Sequence, residues 1–391
     1  MTISLITFFC GLILLSYLFD LTSKFTKIPT VIFLLFLGWL VQQLTTYFAI
    51  RLPKLEPLLP ILGTVGLILI VLEGSLELEL NSSKKSILTK TALCALIPMV
   101  FLVLVLGYAL SYYSGTGLVI GITNAIPLCI ISSAIAIPSV QNLSNENKEF
   151  TIYESSVSDI IGVLIFNFFI ANAVLSYSGL MTFLLQIIAI IIISLISCMG
   201  LAFLIKKIDH HVKFIPIMIM TILIYDVAKH FHLPALFFIL MFGLFLNNLD
   251  ELKNISFIKK LQPKKLNIEV LSFKALVIEM AFLVRTLFFI LFGFLIDTSK
   301  LLDITNFIIA LCFVGFVILV RFLYFKIAKI PIDALLFVAP RGLITILLFI
   351  SIPASRKIPF VNESLIIHVI ILSAFVMMFG LFQKKEKIEL V

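Results

Sequence analysis

The chain predicts an all-α polytopic membrane protein with about thirteen transmembrane helices, and three observations carry that expectation. First, it is 61% hydrophobic and 13% charged, with a mean hydropathy of +1.21. A soluble fold of 391 residues has too little interior to hide that much apolar surface. Second, the apolar residues arrive in runs of about twenty, the length a helix needs to cross the hydrocarbon core. A transmembrane β-barrel would show short alternating segments instead. Third, the Lys and Arg residues cluster in short loops between these runs. The net charge of +8 therefore reports topology and not a nucleic-acid face.

By apolar length the spans fall near 2–22, 28–49, 58–78, 87–112, 117–140, 152–177, 181–205, 213–229, 233–248, 271–296, 304–325, 331–352 and 363–382. Residues 1–22 have neither a basic leader nor a small-residue cleavage site, so they read as a retained helix. The connections are short, and residues 1–391 read as one membrane domain. With the N-terminus outside, 19 loop Lys and Arg fall on the cytoplasmic side and 6 on the other. A missed span would scramble that alternation, so the expected topology is N-terminus outside and C-terminus cytoplasmic. The longest connector, 247–270, mixes Lys with apolar residues and reads as an interfacial helix or a solvated loop. Cys10, Cys94, Cys129, Cys198 and Cys312 lie singly in apolar runs, without metal or redox spacing, and read as packing residues.

Few ionisable residues remain at membrane depth: Glu154, Asp159, Asp226, Lys274, Glu279, Arg285, Arg321 and Arg341, with Asp20 and Glu73 nearer the ends. Each costs at least a few kcal/mol at the bilayer centre unless it faces protein or water. Asp159 is the deepest carboxylate. Ser155, four residues earlier, shares its helix face, and the adjacent Ser158 offers another oxygen. Na⁺ is a hard cation that takes a carboxylate, hydroxyls, carbonyls and water. The competing reading makes Asp159 one half of a structural ion pair. Glu154 lies five residues before Asp159, about 140° around the helix and roughly 7.5 Å along it, so the two point to different neighbours. Arg321 sits too deep to snorkel and requires a carboxylate. Glu154 is the first choice of partner and Asp159 the second.

Two spans read as broken helices. The fifth carries Asn124, Pro127, Ser132, Ser133 and Pro138, and the twelfth carries Pro340-Arg341-Gly342 at its middle. Proline removes a backbone donor and glycine loosens the turn. Backbone groups freed at membrane depth must be buried in protein or line a cavity. Paired interruptions in two halves of a chain point to a transporter's binding site. An offset of seven spans is odd, so the second break is inverted relative to the first. The expected division is a first repeat over about 1–177, a linking helix over about 181–205 and an inverted repeat over about 213–382.

In order along the chain, these segments resemble the monovalent cation:proton antiporter superfamily, which includes the sodium/hydrogen exchangers and their potassium-exporting relatives. Glu154-Ser155-Ser156-Val157-Ser158-Asp159 resembles the E-S-x-x-N-D stretch, and Ser132 to Ile137 resembles S-S-T-A-I-A. Residues 73–78 (EGSLEL) are similar to an A-G-L-E-L helix end, and Phe288 to Asp297 resembles F-F-x-x-x-G-x-x-x-D. Pro340-Arg341-Gly342 resembles the second crossing. The resemblance implies an inverted-repeat antiporter fold with two broken crossing helices, in which a core bundle moves against a dimerisation scaffold. It makes Asp159 the site shared by cation and proton, with Ser155, Ser158, Ser132, Ser133 and Asn124 around it. Glu154 and Arg321 become the stabilising pair, and Arg341 supports the crossing. Position 158 is Ser where exchangers have Asn and electrogenic members have a second Asp, which implies electroneutral exchange.

The function expected is secondary antiport of protons against Na⁺, or K⁺ or Li⁺, by alternating access around Asp159. No cofactor is implied, and the monovalent cation at Asp159 is cargo. The expected partners are these ions, protons and the lipid bilayer, with a homodimer as the assembly and a bacterial inner membrane as the location. The alternatives are a proton-linked K⁺ efflux transporter or a channel-like protein using the same site, and a non-transporting sensor. No Ser/His set, H-E-x-x-H or two-aspartate motif points to an intramembrane enzyme.

Overall fold

The computed structural model describes residues 5–26, 28–48, 55–80, 84–141, 143–172, 177–208, 212–231, 233–251 and 263–383. Residues 252–262 of the connector at 247–270, with Lys253, Lys259 and Lys260, lie outside these residues, as do Arg51, Lys54, His210 and His211; residues 263–270, with Lys264 and Lys265, open the helix that follows. The described chain is helical: α1 Leu5–Thr26, α2 Thr30–Tyr47, α3 Leu58–Ser75, α4 Lys85–Ser114, α5 Leu118–Cys129, α6 Ser133–Ser139, α7 Asn145–Ala171 and α8 Tyr177–Lys207. There follow α9 Phe214–His230, α10 Ala235–Asn247, α11 Pro263–Phe294, the single turn α12 Thr298–Leu301, α13 Ile304–Ile327, α14 Leu343–Ser351 and α15 Glu363–Gln383. A 3₁₀ turn, Ala334–Phe337, precedes α14, and another, Ala354–Arg356, follows it.

Nine described helical segments are long and apolar enough to cross a membrane. Local chemistry sets several of their ends. Gly115 stops α4 in a left-handed conformation (φ 66°), which costs glycine nothing. Asp303 caps α13, its carboxylate accepting from the amides of Thr305 at 3.0 Å and Asn306 at 3.1 Å. The cap holds the Asp303 carboxyl below the ordinary carboxylate range, chiefly through the Asn306 amide.

The helices sort into two bundles. In one, α2 and α3 pack on α11, α10 on α3 and α8, and α8 on α9. Gly38 of α2 and Gly293 of α11 let those backbones touch; a Cβ on Gly38 would fall 2.7 Å from the Phe294 nitrogen. In the other, α4, α5, α6 and α7 pack together, α13 packs on α15 and on α4, and α14 packs on α5 and α7. The bundles meet where α3 touches α7, α6 and α14. Apolar side chains of α8, such as Leu185, Ile188 and Ile196, stay exposed where a bilayer would cover them.

Candidate ion-binding site

The fifth and twelfth spans are interrupted, and the interruptions lie against each other. Residues 130–132 link α5 to α6 in extended conformation, and residues 338–342 link the first 3₁₀ turn to α14. The Ser132 amide donates to the Pro340 carbonyl at 2.8 Å, joining the two stretches main chain to main chain. The Ile131 amide donates to Ser158 Oγ at 3.0 Å, so α7 satisfies a donor that the break released. Gly342 sits at the contact. A Cβ there would meet Ser132 Oγ at 2.7 Å and Ile135 Cδ1 at 2.6 Å.

The two half-helix ends at the first break each face an opposite charge. Arg341, fully buried, donates from Nε to the Leu128 carbonyl at 2.8 Å and from Nη2 to the Cys129 carbonyl at 3.3 Å, at the C-terminal end of α5. Its Nη1 donates to Ala339 O at 2.5 Å, and its amide donates to Ser373 Oγ at 2.9 Å. A cation at a helix C-terminus and an anion at an N-terminus both oppose the helix dipole. The anion is Asp159. Its Oδ2 accepts from the Ser133 hydroxyl and, at 3.3 Å, from the Ser133 amide at the start of α6.

Oδ1 of Asp159 is buried and has no hydrogen-bond partner among the described residues, and the same holds for Ser132 Oγ and Ser156 Oγ. Buried polar atoms without partners are rare enough to need an explanation, and a carboxylate oxygen most of all. Ser132 precedes Ser133, which grips the other carboxylate oxygen. The break therefore carries two unspent oxygen atoms, Asp159 Oδ1 and Ser132 Oγ.

Glu154 points elsewhere on α7. Arg321 Nη1 donates to Glu154 Oε1 and Nη2 donates to Oε2 at 2.7 Å, a bidentate pair with both side chains almost wholly buried. Cys94 Sγ donates to Glu154 Oε1 at 3.1 Å. The packing role read for Cys94 in the sequence thus omits its thiol. Arg321 also donates to the Leu335 carbonyl from Nε at 3.3 Å and Nη2 at 2.9 Å, and lies over the Phe325 ring at 4.8 Å. One node therefore ties α4, α7, α13 and the turn leading into the second break.

Of the expected site residues, Ser132, Ser133, Ser158 and Asp159 gather at the break. Ser155 turns its hydroxyl to the Thr151 carbonyl at 2.7 Å, along its own helix. Asn124, at the middle of α5, is engaged elsewhere. Its amide nitrogen donates to Ile120 O at 2.9 Å and Arg356 O at 2.8 Å, and its oxygen accepts from the Ile358 amide at 3.2 Å. Ser156 was not singled out in the sequence. It faces the bundle boundary, where a Cβ on Gly74 of α3 would meet its Oγ at 2.9 Å. Glu73, next to Gly74 and half-buried, lies within the electrostatic reach of Arg285 and Lys274. Arg285 in turn reaches the Ala134 carbonyl of α6 at 3.5 Å.

Two broken helices crossing beside a buried, half-partnered carboxylate, within a polytopic helical bundle, define a secondary transporter. Residues 10–383 match the model of a family described as sodium/hydrogen exchanger, transmembrane. The fold superposes on the sodium proton antiporter MjNhaP1 from Methanocaldococcus jannaschii at pH 8 with a TM-score of 0.71 and 17% identity, over 96% of this chain and 95% of that one. An electron-microscopy structure of MjNhaP1 gives 0.69 and 17%, over 97% and 96%. No curated protein matches the sequence. The chain belongs to the sodium/hydrogen exchanger family, whose members are cation:proton antiporters and not enzymes.

Proposed function

We propose that the chain exchanges one proton for one Na⁺, with Li⁺ or K⁺ as competing cargo, by alternating access around Asp159. The observation that carries this reading is the buried, unpartnered Oδ1 of Asp159 with the equally unspent Ser132 Oγ at the same break. A proton on the carboxylate, or a cation held by it and the neighbouring oxygens, each relieves that state, and one excludes the other. Competition for a single site links the two ions thermodynamically.

The electroneutral reading rests on charge. Glu154 is neutralised by Arg321, and position 158 is Ser, which leaves Asp159 as the one unpaired carboxylate at the break among the described residues. The site then carries the same charge with either ion, so the two gradients drive exchange and the membrane potential does not. The rest of the reading is a bacterial inner membrane, the N-terminus outside, the C-terminus inside and a homodimer built on the bundle of α2, α3, α8, α9, α10 and α11. The chain halves over about 1–177 and 213–382 act as inverted repeats joined by the helix over about 181–205.

Everted vesicles with a fluorescent pH probe test this. Adding Na⁺, Li⁺ or K⁺ should dissipate an imposed proton gradient, and the cation series identifies the cargo. Asp159→Asn should abolish the response at unchanged expression. Full exchange in that variant would overturn the assignment.

A further inference from the structure

The turn α12 is the joint between the two bundles at one end of the molecule, following α11 and leading into α13. Both bundles hold it. From α2, Trp39 Nε1 and Gln43 Nε2 donate to the Thr298 hydroxyl at 3.1 and 3.0 Å. From α15, the Ser364 hydroxyl donates to the Lys300 carbonyl at 2.7 Å, and Glu363 pairs with the Lys300 ammonium at 2.5 Å.

The third tie from α15 is His368, a buried imidazole. Its Nε2 lies 3.1 Å from the Leu301 carbonyl oxygen, and its Nδ1 lies 2.8 Å from the Ser364 carbonyl oxygen. A carbonyl oxygen only accepts, and neutral imidazole carries one N–H. A neutral ring therefore closes one of these bonds and sets a nitrogen lone pair against an oxygen lone pair at the other. The Ser364 hydroxyl, 3.5 Å from Nδ1, offers no relief because its proton goes to Lys300 O. Only the doubly protonated ring closes both.

The surroundings suit a cation. Phe307 of α13 stands roughly perpendicular to the ring, with centroids 5.7 Å apart. Asp303, the cap of α13, is electrostatically coupled to His368 and remains ionised wherever imidazole titrates, since its cap holds it below the carboxylate range. The other nearby charges are Lys300 and Glu363, already paired, and Lys357, which stands over the Phe349 ring beside a cavity shared with Ser364.

We propose that His368 is a proton-operated clasp on this joint. Doubly protonated, it bridges Ser364 and Leu301 and fixes α12 to α15. With one proton lost, the Leu301 bond opens and the joint between the bundles loosens.

Hydrogen–deuterium exchange of the intact protein in lipid nanodiscs, corrected for the intrinsic pH dependence of amide exchange, reads this directly. Protection of residues 298–303 should fall roughly tenfold on going from acid to alkaline pH, as one charge-assisted bond is lost. His368→Gln should abolish the step and hold the segment at its alkaline level. Glu363→Gln, which removes only the surface pair, should leave the step in place. His368→Lys, whose amine carries more than one N–H donor in either protonation state, should keep the segment protected at alkaline pH, which covers the case in which the Gln variant fails to fold. A wild-type profile without a step, or a step that survives in His368→Gln or His368→Lys, would overturn the clasp. The readout is local and needs no ion transport, so it stands or falls apart from the assignment of Asp159.

Discussion

Arg321 holds both oxygens of Glu154 and turns its remaining donors to the carbonyl of Leu335. The pair is buried at the meeting of three helices, where a lone charge has no solvent to fall back on. Arg321→Ala or Glu154→Gln should each cost about 3–5 kcal/mol, read as a fall in melting temperature of the purified protein in detergent. The charge-swapped double variant should recover only part of this. Arginine at position 154 regains a carboxylate, but the glutamate at position 321 then faces the Leu335 carbonyl, acceptor against acceptor. Full recovery would mean that the Leu335 contact contributes nothing.

Ser132 and Ser155 predict opposite behaviour from the same substitution. Ser132 Oγ is buried without a partner, so Ser132→Ala removes no hydrogen bond and should leave the melting temperature unchanged or slightly raised. As a cation ligand, however, its loss should weaken apparent cation affinity by roughly tenfold in the vesicle assay. Ser155 returns its hydroxyl to Thr151 O, and Ser155→Ala should change apparent affinity less than about twofold. Equal affinities in the two variants would remove Ser132 from the ion site.

The long helices were legible because the bilayer demands apolar runs of one length, and the loop lysines registered them. The breaks were legible because Pro127, Pro138 and Pro340-Arg341-Gly342 stand where uninterrupted helix would be the default. Arg321 implied a carboxylate by charge alone, and Glu154 occupies that place. What periodicity does not carry is which way a short polar side chain turns. Asn124 reads as one more polar group on the broken fifth span, yet it is spent on the loop around Arg356, some eight residues of helix and extended chain before the serines. Ser155 shares a face with Asp159 by spacing, but back-bonding to the preceding turn is a local competitor that spacing cannot exclude. The thiol of Cys94 and the carbonyl of Leu335 complete the Glu154–Arg321 node through tertiary contacts that span 60 and 14 residues of sequence.

Gly342 tests the crossing itself. The two extended stretches approach closely enough for the Ser132 amide to reach Pro340 O, and the added methyl of Gly342→Ala would press on Ser132 Oγ and Ile135 Cδ1. Glycine is required here by space and not by backbone angle, since its φ of −168° is open to any residue. Accommodating the methyl means moving α6 away from α14, which carries Ser133 away from Asp159. Gly342→Ala should cost about 1–3 kcal/mol of stability, the usual range for overpacking a dense interior. Its exchange rate should fall further than that loss explains, because the displaced half-helix is the one that grips the carboxylate. The check is to measure melting temperature and exchange together and to add Ile135→Val as a compensating truncation. If the truncation restores stability and exchange in parallel, the methyl acts through the crossing. An alanine variant with wild-type exchange would show that the two broken helices do not need this contact distance to work.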